Sequence, residues 1–173
     1  MKKLFALILA LGLLFSFAMA EEEVAAELSW DNVSEETKAA GAFQQVAFQD
    51  PAVTLIYWVP ANMAAQDVSA LADQGVVAAF TTEDEEYAIT VSALNVTSLE
   101  EYATGLGIAE SAKLVMVNGL QTIAAEVEDQ DIDMLIVPVT ETLILVYSFT
   151  PLNGDEGWDA VKAAIVSSIQ LAE

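Results

Sequence analysis

The residues best suited to chemistry form an acidic run, EVEDQDID, in the second half of the chain, where Asp129, Asp131 and Asp133 occupy alternating positions. Calcium takes about six to eight oxygen ligands, and an EF-hand loop begins with carboxylates at this spacing. The glycine that such a loop needs next is Met134, and its closing glutamate is Thr140. The run is therefore predicted to be a solvated turn between two strands. No metal site is assigned, and Asp129, Asp131 and Asp133 are kept as calcium candidates.

Two other patterns could support catalysis. Paired carboxylates cleave glycosides when one carboxyl has a raised pKa and the two lie several ångströms apart, and a chain with 27 Asp and Glu residues contains many pairs. Ser111 and Lys113 lie two residues apart, on one side of an extended chain, but this spacing also fits the start of a strand. No G-x-S-x-G elbow and no glycine-rich phosphate loop is present. No catalytic residue is assigned, and a carboxylate-dependent glycoside hydrolase remains the alternative.

Composition excludes several classes of site. The 173 residues include no His and no Cys, and the only cationic side chains are five lysines. Zinc and haem centres, Cys or Ser–His nucleophiles, disulfides and arginine clamps all require residue types that the chain lacks. With a net charge of −22 the protein repels phosphate backbones, so nucleic acid is excluded as a partner. No cofactor is expected.

The first twenty residues are predicted to be a cleaved bacterial signal peptide. Lys2 and Lys3 precede an apolar stretch over residues 4–17, and Ala18-Met19-Ala20 forms a small-x-small cleavage site. An uncleaved membrane anchor is the competing interpretation, but the uncharged stretch is short for a bilayer span. We expect residues 21–173 to be secreted as one extracellular domain, without a membrane segment after cleavage. The apolar content of 55% is enough for a folded core.

The elements that must position these residues are predicted from periodicity and turn signals. A lead-in over residues 21–29 and a short helix ending at Gly41 come first. Strands are predicted over residues 42–48, 53–59, 76–82, 87–94, 113–117, 120–127, 132–139 and 142–149. Asn118-Gly119, between the predicted strands over residues 113–117 and 120–127, is the strongest hairpin signal in the chain. Helices are predicted to begin near Ser98, with a capping pattern to Glu101, and at Asp155. The second runs to about Leu171, and its apolar stripe, which faces the sheet, places Trp158 in the core.

The strand over residues 53–59 is apolar on both sides, which is typical of a strand in a sheet covered by helices. The predicted fold is therefore a single α+β domain with a mostly antiparallel sheet of six to eight strands and helices on both faces, an α/β/α sandwich. Tyr57 and Trp58 point to opposite faces of one strand, which favours core positions over a sugar-binding platform.

The order of elements (strand pair, short helix, hairpin, helix, long meander, C-terminal helix) resembles the Mog1/PsbP-like fold over most of residues 42–171. The segment IYWVP at residues 56–60 and the meander from VNGLQTI to ILVYSF carry this resemblance. It implies a non-catalytic accessory domain that binds a macromolecular partner. Members of the family bind a small GTPase or a photosystem, but no functional residue carries over to this chain.

These observations together predict a secreted, acidic, non-enzymatic binding or accessory module, with an extracellular protein or a surface polymer such as a glycan as its partner. The alternatives are the glycoside hydrolase and a calcium-stabilised structural domain. The binding residues, the identity of the partner and the oligomeric state are left open by the sequence.

Overall fold

The structure is a computed structural model that describes residues 25–49, 52–109 and 111–172. The predicted signal peptide, residues 1–20, lies outside the described residues. The strands are β1 (Ala25–Leu28), β2 (Gly41–Gln49), β3 (Ala52–Pro60), β4 (Met63–Ala65), β5 (Val76–Thr82), β6 (Ala88–Asn95), β7 (Lys113–Val117), β8 (Leu120–Val127), β9 (Ile132–Pro138), β10 (Leu143–Thr150) and β11 (Gln170–Ala172). The α-helices are α1 (Glu35–Ala39), α2 (Leu99–Gly105) and α3 (Glu156–Ser168).

The strands form two sheets. The main sheet has eight strands in the order β1-β7-β8-β9-β10-β6-β5-β4, and the second sheet has three in the order β11-β3-β2. Every neighbouring pair is antiparallel except β1 and β7, which are parallel. The long central ladder of β10 with β6 and β9 forms the middle of the main sheet.

Alternate residues of the main sheet point to two hydrophobic cores. On one face, Leu145 and Tyr147 pack against the second sheet and α3, through residues such as Tyr57 and Ile165. On the opposite face, Ile144 packs beneath α2 and the loop that follows it. The main sheet therefore has a helix on each face, because its central strands are apolar on both sides.

Local sequence determines where the helices and the sharpest turn begin. The side chains of Ser34, Ser98 and Asp155 accept hydrogen bonds from backbone N–H groups in the first turns of α1, α2 and α3, as N-cap residues do. Asn118 and Gly119 both have positive φ angles, 47° and 78°, which is the backbone conformation of a tight hairpin turn.

The α+β class, the mostly antiparallel main sheet and its helices on both faces are confirmed. Two predictions about strands were wrong. The lead-in over residues 21–29, expected to be frayed or weakly helical, includes strand β1, which pairs with β7. The strand over residues 53–59 lies in the second sheet. Its apolar outward residues suggested burial on both faces, but among the described residues no helix covers the outward side beyond Trp58.

Candidate functional site

A cavity of about 600 Å³ forms a cleft where the loop after α2 meets the ends of β8 and β9. Because β7 begins at Lys113, opposite Ala124, the last residues of β8 have no strand partner on that side among the described residues. Ile108, Ala125 and Val127 give the cleft an apolar floor. Its polar lining consists of Ser111, Lys113, Glu126, Glu128, Asp129 and Asp133. We call this the acidic cleft.

The structure brings two of the three calcium candidates to the acidic cleft. Asp129 and Asp133 line it, whereas Asp131 ends the short 3-10 turn before β9, and its carboxylate accepts the Leu152 N–H at 3.1 Å. Asp133 is also ion-paired with Lys162 of α3 at 3.1 Å. Among the described residues, no group of three or more acidic side chains is arranged to hold a metal ion.

The carboxylates of the described residues are exposed or partly exposed, and none is buried. A glycosidase acid requires a carboxyl whose pKa is raised by its surroundings. Among the described residues, the carboxyl pKa values that shift are lowered. The Ser69 N–H, 2.9 Å from the Asp67 carboxylate, lowers the pKa of Asp67. Hydrogen bonds from the Thr82 hydroxyl and the Glu86 N–H lower the pKa of Asp84.

Ser111 and Lys113 both line the acidic cleft, but the Ser111 hydroxyl donates its hydrogen bond to the Ile108 carbonyl at 3.2 Å. Lys113 is exposed at the first position of β7, which agrees with the predicted strand start. This arrangement anchors the loop after α2 and leaves Lys113 in solvent. A lysine base requires a desolvated side chain, and the Lys113 side chain is exposed.

A second candidate surface is the outward side of the second sheet. The residues of β3 alternate, so that Leu55, Tyr57 and Val59 enter the core while Ile56 and Trp58 point outwards. Outward-facing residues from the three strands make up this surface, which we call the open sheet face: Phe43, Gln45, Ala47, Thr54, Ile56, Gln170 and Ala172. No member carries a charge, although the net charge of the chain is −22.

Aromatic packing holds one end of the open sheet face. Trp58 is buried beneath Trp30, with ring centroids 6.0 Å apart, and its indole N–H donates to the Lys38 carbonyl at 3.3 Å. A side chain at Gly41 would collide with the Trp58 ring, so this close approach requires glycine. Phe43 lies opposite Trp58, contacts Trp30 edge to face at 5.2 Å, and is 43% exposed. Phe43 is thus a rigidly supported aromatic side chain in solvent.

Tyr57, Trp58 and Trp158, predicted to be core residues, are all buried. Phe43 and the open sheet face were not predicted. The available signal was the uncharged segment GAFQQVAFQ, residues 41–49, in which Phe43, Gln45 and Ala47 fall on one face of a strand.

Neither a protein-family model nor a curated protein sequence matches the chain. Among solved structures, it is similar to the solution structure of cyanobacterial PsbP (CyanoP) from Synechocystis sp. PCC 6803. The identity is 15%, the TM-score is 0.46, and the match covers 77% of this chain and 94% of that chain. CyanoP is a PsbP protein, from the family that the order of elements resembles. Within the described residues, no helix has the length and apolar character to cross a bilayer.

Proposed function

We propose that the protein is a secreted, non-catalytic binding module that recognises an extracellular protein or a surface polymer through the open sheet face. The observation that carries the proposal is an uncharged, solvent-exposed sheet face with a supported aromatic residue, in a chain whose net charge is −22. Sheet residues that face only solvent are commonly polar or charged, and uncharged faces with aromatic residues are typical of binding surfaces.

Phe43 is expected to contribute most to binding at this surface. Aromatic side chains contribute a large share of interface energy when the free protein already holds them in place. Trp30 and Trp58 hold Phe43 in this way, so little conformational entropy is lost when a partner covers its ring. The signal-peptide pattern of residues 1–20 supports an extracellular location for this contact.

The test is a binding screen of the purified protein against extracellular proteins and glycans, followed by titration of each ligand against matched variants. Phe43→Ser should weaken binding at least tenfold, or about 1.4 kcal/mol. Leu71→Ser is the control, because Leu71 is similarly exposed, at 40%, but lies in the 3-10 turn before β5. Equal losses for the two variants would contradict the proposal. So would hydrolysis of the ligand that is lost in Glu126→Gln, a change in the acidic cleft.

A further inference from the structure

The four edges of the two sheets differ in length and protection. The main sheet ends in β1, of four residues, and β4, of three, and the second sheet has β11, of three residues, at one edge. The remaining edge is β2, of nine residues. Proteins protect edge strands by keeping them short or by adding charges, prolines or bulges. β2 has none of these, because residues 41–49 read GAFQQVAFQ and its ladder with β3 runs without a break.

The register shows which backbone groups of β2 are available at this edge. In an antiparallel pair, residues alternate between those bonded to the partner strand and those whose N–H and C=O point away. The bond from the Ala61 N–H to the Ala40 carbonyl, 2.9 Å, sets the phase of the β2–β3 ladder. The Trp58 N–H supports this phase, because it points away from β2 and donates to Ser168 Oγ at 2.7 Å. The groups that point to the open edge belong to Gly41, Phe43, Gln45, Ala47 and Gln49.

Of these five residues, Phe43, Gln45 and Ala47 also present their side chains on the open sheet face. A strand added beside β2 would therefore bond to the backbone of Phe43 and Gln45 and also extend the surface that contains the Phe43 ring. Cross-strand neighbours contact aromatic side chains directly. Over nine residues the edge is about 30 Å long, which is ample for an extended segment of another chain.

Charge decides what kind of chain fits this edge. A second copy would bring another net charge of −22, so the two molecules would repel each other as they approach. The sequence on either side of β2 is also net acidic, because Glu35 and Glu36 outnumber Lys38 before it and Asp50 follows it. An extended segment with basic residues at its ends is attracted by this field instead, and its uncharged centre can pair with β2.

We propose that β2 binds an extended basic segment of a partner protein by adding it to the second sheet as a fourth strand. The proposal rests on the binding function proposed above and specifies its partner and its mode. In strand addition, main-chain hydrogen bonds supply affinity and alternate side chains supply specificity. Here the bonds come from the outward groups of β2, and the side-chain contact comes from Phe43.

The test uses a synthetic peptide with alternating Val and Thr in its centre and two lysines at each end. Backbone amide hydrogen exchange is measured by NMR with and without the peptide. The outward amides of Phe43, Gln45 and Ala47 should exchange at least tenfold more slowly in the complex. The amides of Gln44 and Val46, which already bond to β3, should not change.

Backbone bonds between β2 and the peptide can be removed in the protein or in the peptide. Gln45→Pro deletes one outward N–H at a position where an edge strand tolerates proline, and should weaken peptide binding at least tenfold, whereas Gln45→Thr should not. Circular dichroism checks that both variants are folded. Should Gln45→Pro not fold, a peptide N-methylated throughout its centre makes the same test, because it keeps its side chains and should not bind.

Three results would overturn strand addition by a basic segment. The first is absence of peptide binding, or binding that survives N-methylation. The second is slow exchange at Phe43 and Gln45 without peptide, together with a dimer in sedimentation, since a second copy would then occupy the edge. The third is a protein or glycan ligand whose binding is lost in Phe43→Ser but unchanged in Gln45→Pro. In that case the proposed function stands and strand addition fails.

Discussion

Tyr57 and Tyr147 place two hydroxyl groups in the core between the main sheet and the second sheet. Their rings pack edge to face with centroids 5.6 Å apart, and their exposed fractions are 1% and 0%. Neither hydroxyl has a hydrogen-bond partner among the described residues. A buried hydroxyl without a partner costs about 1–3 kcal/mol. These two groups therefore destabilise a core that their rings stabilise.

Tyr147→Phe removes one hydroxyl and keeps the ring. We expect the free energy of unfolding to rise by about 1 kcal/mol, the lower end of the range, because the space left by the oxygen loses some van der Waals contact. For a domain of this size, that change raises the melting temperature by about 2–4 °C. Tyr57→Phe should act in the same direction.

Alkaline pH should enlarge the difference in the free energy of unfolding between Tyr147→Phe and the unmodified protein. Burial raises the pKa of Tyr57 to about 12 and the pKa of Tyr147 well above 10, with the nearby Tyr57 adding to the latter. In the unfolded chain both groups titrate near pH 10. The folded protein favours the neutral phenol more than the unfolded chain does. This preference contributes fully to the free energy of unfolding below pH 10, and its contribution is lost as the pH rises through the folded pKa. For Tyr57 the loss reaches about 3 kcal/mol near pH 12. Tyr147→Phe has no phenol at position 147 that could ionise, so the loss of stability that this group causes at alkaline pH does not occur in the variant.

The assay is urea unfolding followed by tryptophan fluorescence at neutral pH and at about pH 10.5. Tyr102→Phe is the neutral-pH control, because Tyr102 is only partly buried, and its stability should stay within about 0.5 kcal/mol of the unmodified protein. A loss of 1 kcal/mol or more in Tyr147→Phe at neutral pH would refute the reasoning. It would mean that the hydroxyl contributes a hydrogen bond that stabilises the fold.

Three further predictions concern the contacts of Lys162, the contacts of Asn118 and the effect of calcium. Lys162→Met should lower stability by about 1–3 kcal/mol, because Lys162 bonds to Asp133 at 3.1 Å and to the Leu152 carbonyl at 2.9 Å. Lys113→Met, at an exposed site, is the control in the same urea assay. Asn118→Gly should keep the turn but cost about 1–3 kcal/mol, because the Asn118 amide links β7–β8 to the end of α3 and to the Trp30 N–H. Millimolar calcium should raise the melting temperature no more than sodium chloride of matched ionic strength, which screens the net negative charge.

Each of these has a clear contrary result. Equal stability losses for Lys162→Met and Lys113→Met would show that the contacts of Lys162 to Asp133 and Leu152 contribute nothing beyond charge. An Asn118→Gly variant as stable as the parent would show that Asn118 serves only the turn. A rise in melting temperature specific to calcium would make the protein a calcium-stabilised domain, with the acidic cleft as the first place to look.

Local signals in the sequence were sufficient for much of the fold. The Asn118-Gly119 turn and the caps at Ser98 and Asp155 lie where predicted, because each depends on bonds within a few residues. The acidic run likewise forms a turn, with a 3-10 segment at Glu128–Gln130. Its predicted solvation follows from the cost of burying unpaired carboxylates.

The second sheet could not be predicted from local patterns. The pairing of Gln170 with Ile56 joins residues more than a hundred positions apart, and no periodicity in either segment specifies the other. The end of α3 shows the same effect. Its apolar stripe predicted a helix to about Leu171, but the chain leaves the helix after Ser168, whose hydroxyl accepts the Trp58 N–H and donates to the Ile165 carbonyl. A tertiary hydrogen bond outweighed helix periodicity there.

The charge distribution links the fold to the proposed binding. Carboxylates remain on turns and exposed positions because the cores contain no partner for them, so the surface as a whole is negative. On such a surface, like-charge repulsion opposes contact almost everywhere between two copies of the chain. The open sheet face and the β2 edge lack charged side chains, so covering them desolvates no carboxylate. An incoming basic segment is thus attracted by the whole molecule, and its uncharged centre can cover the β2 edge without desolvating a carboxylate. For this reason the neutral strand, and not the acidic cleft, is the expected place of contact for that centre.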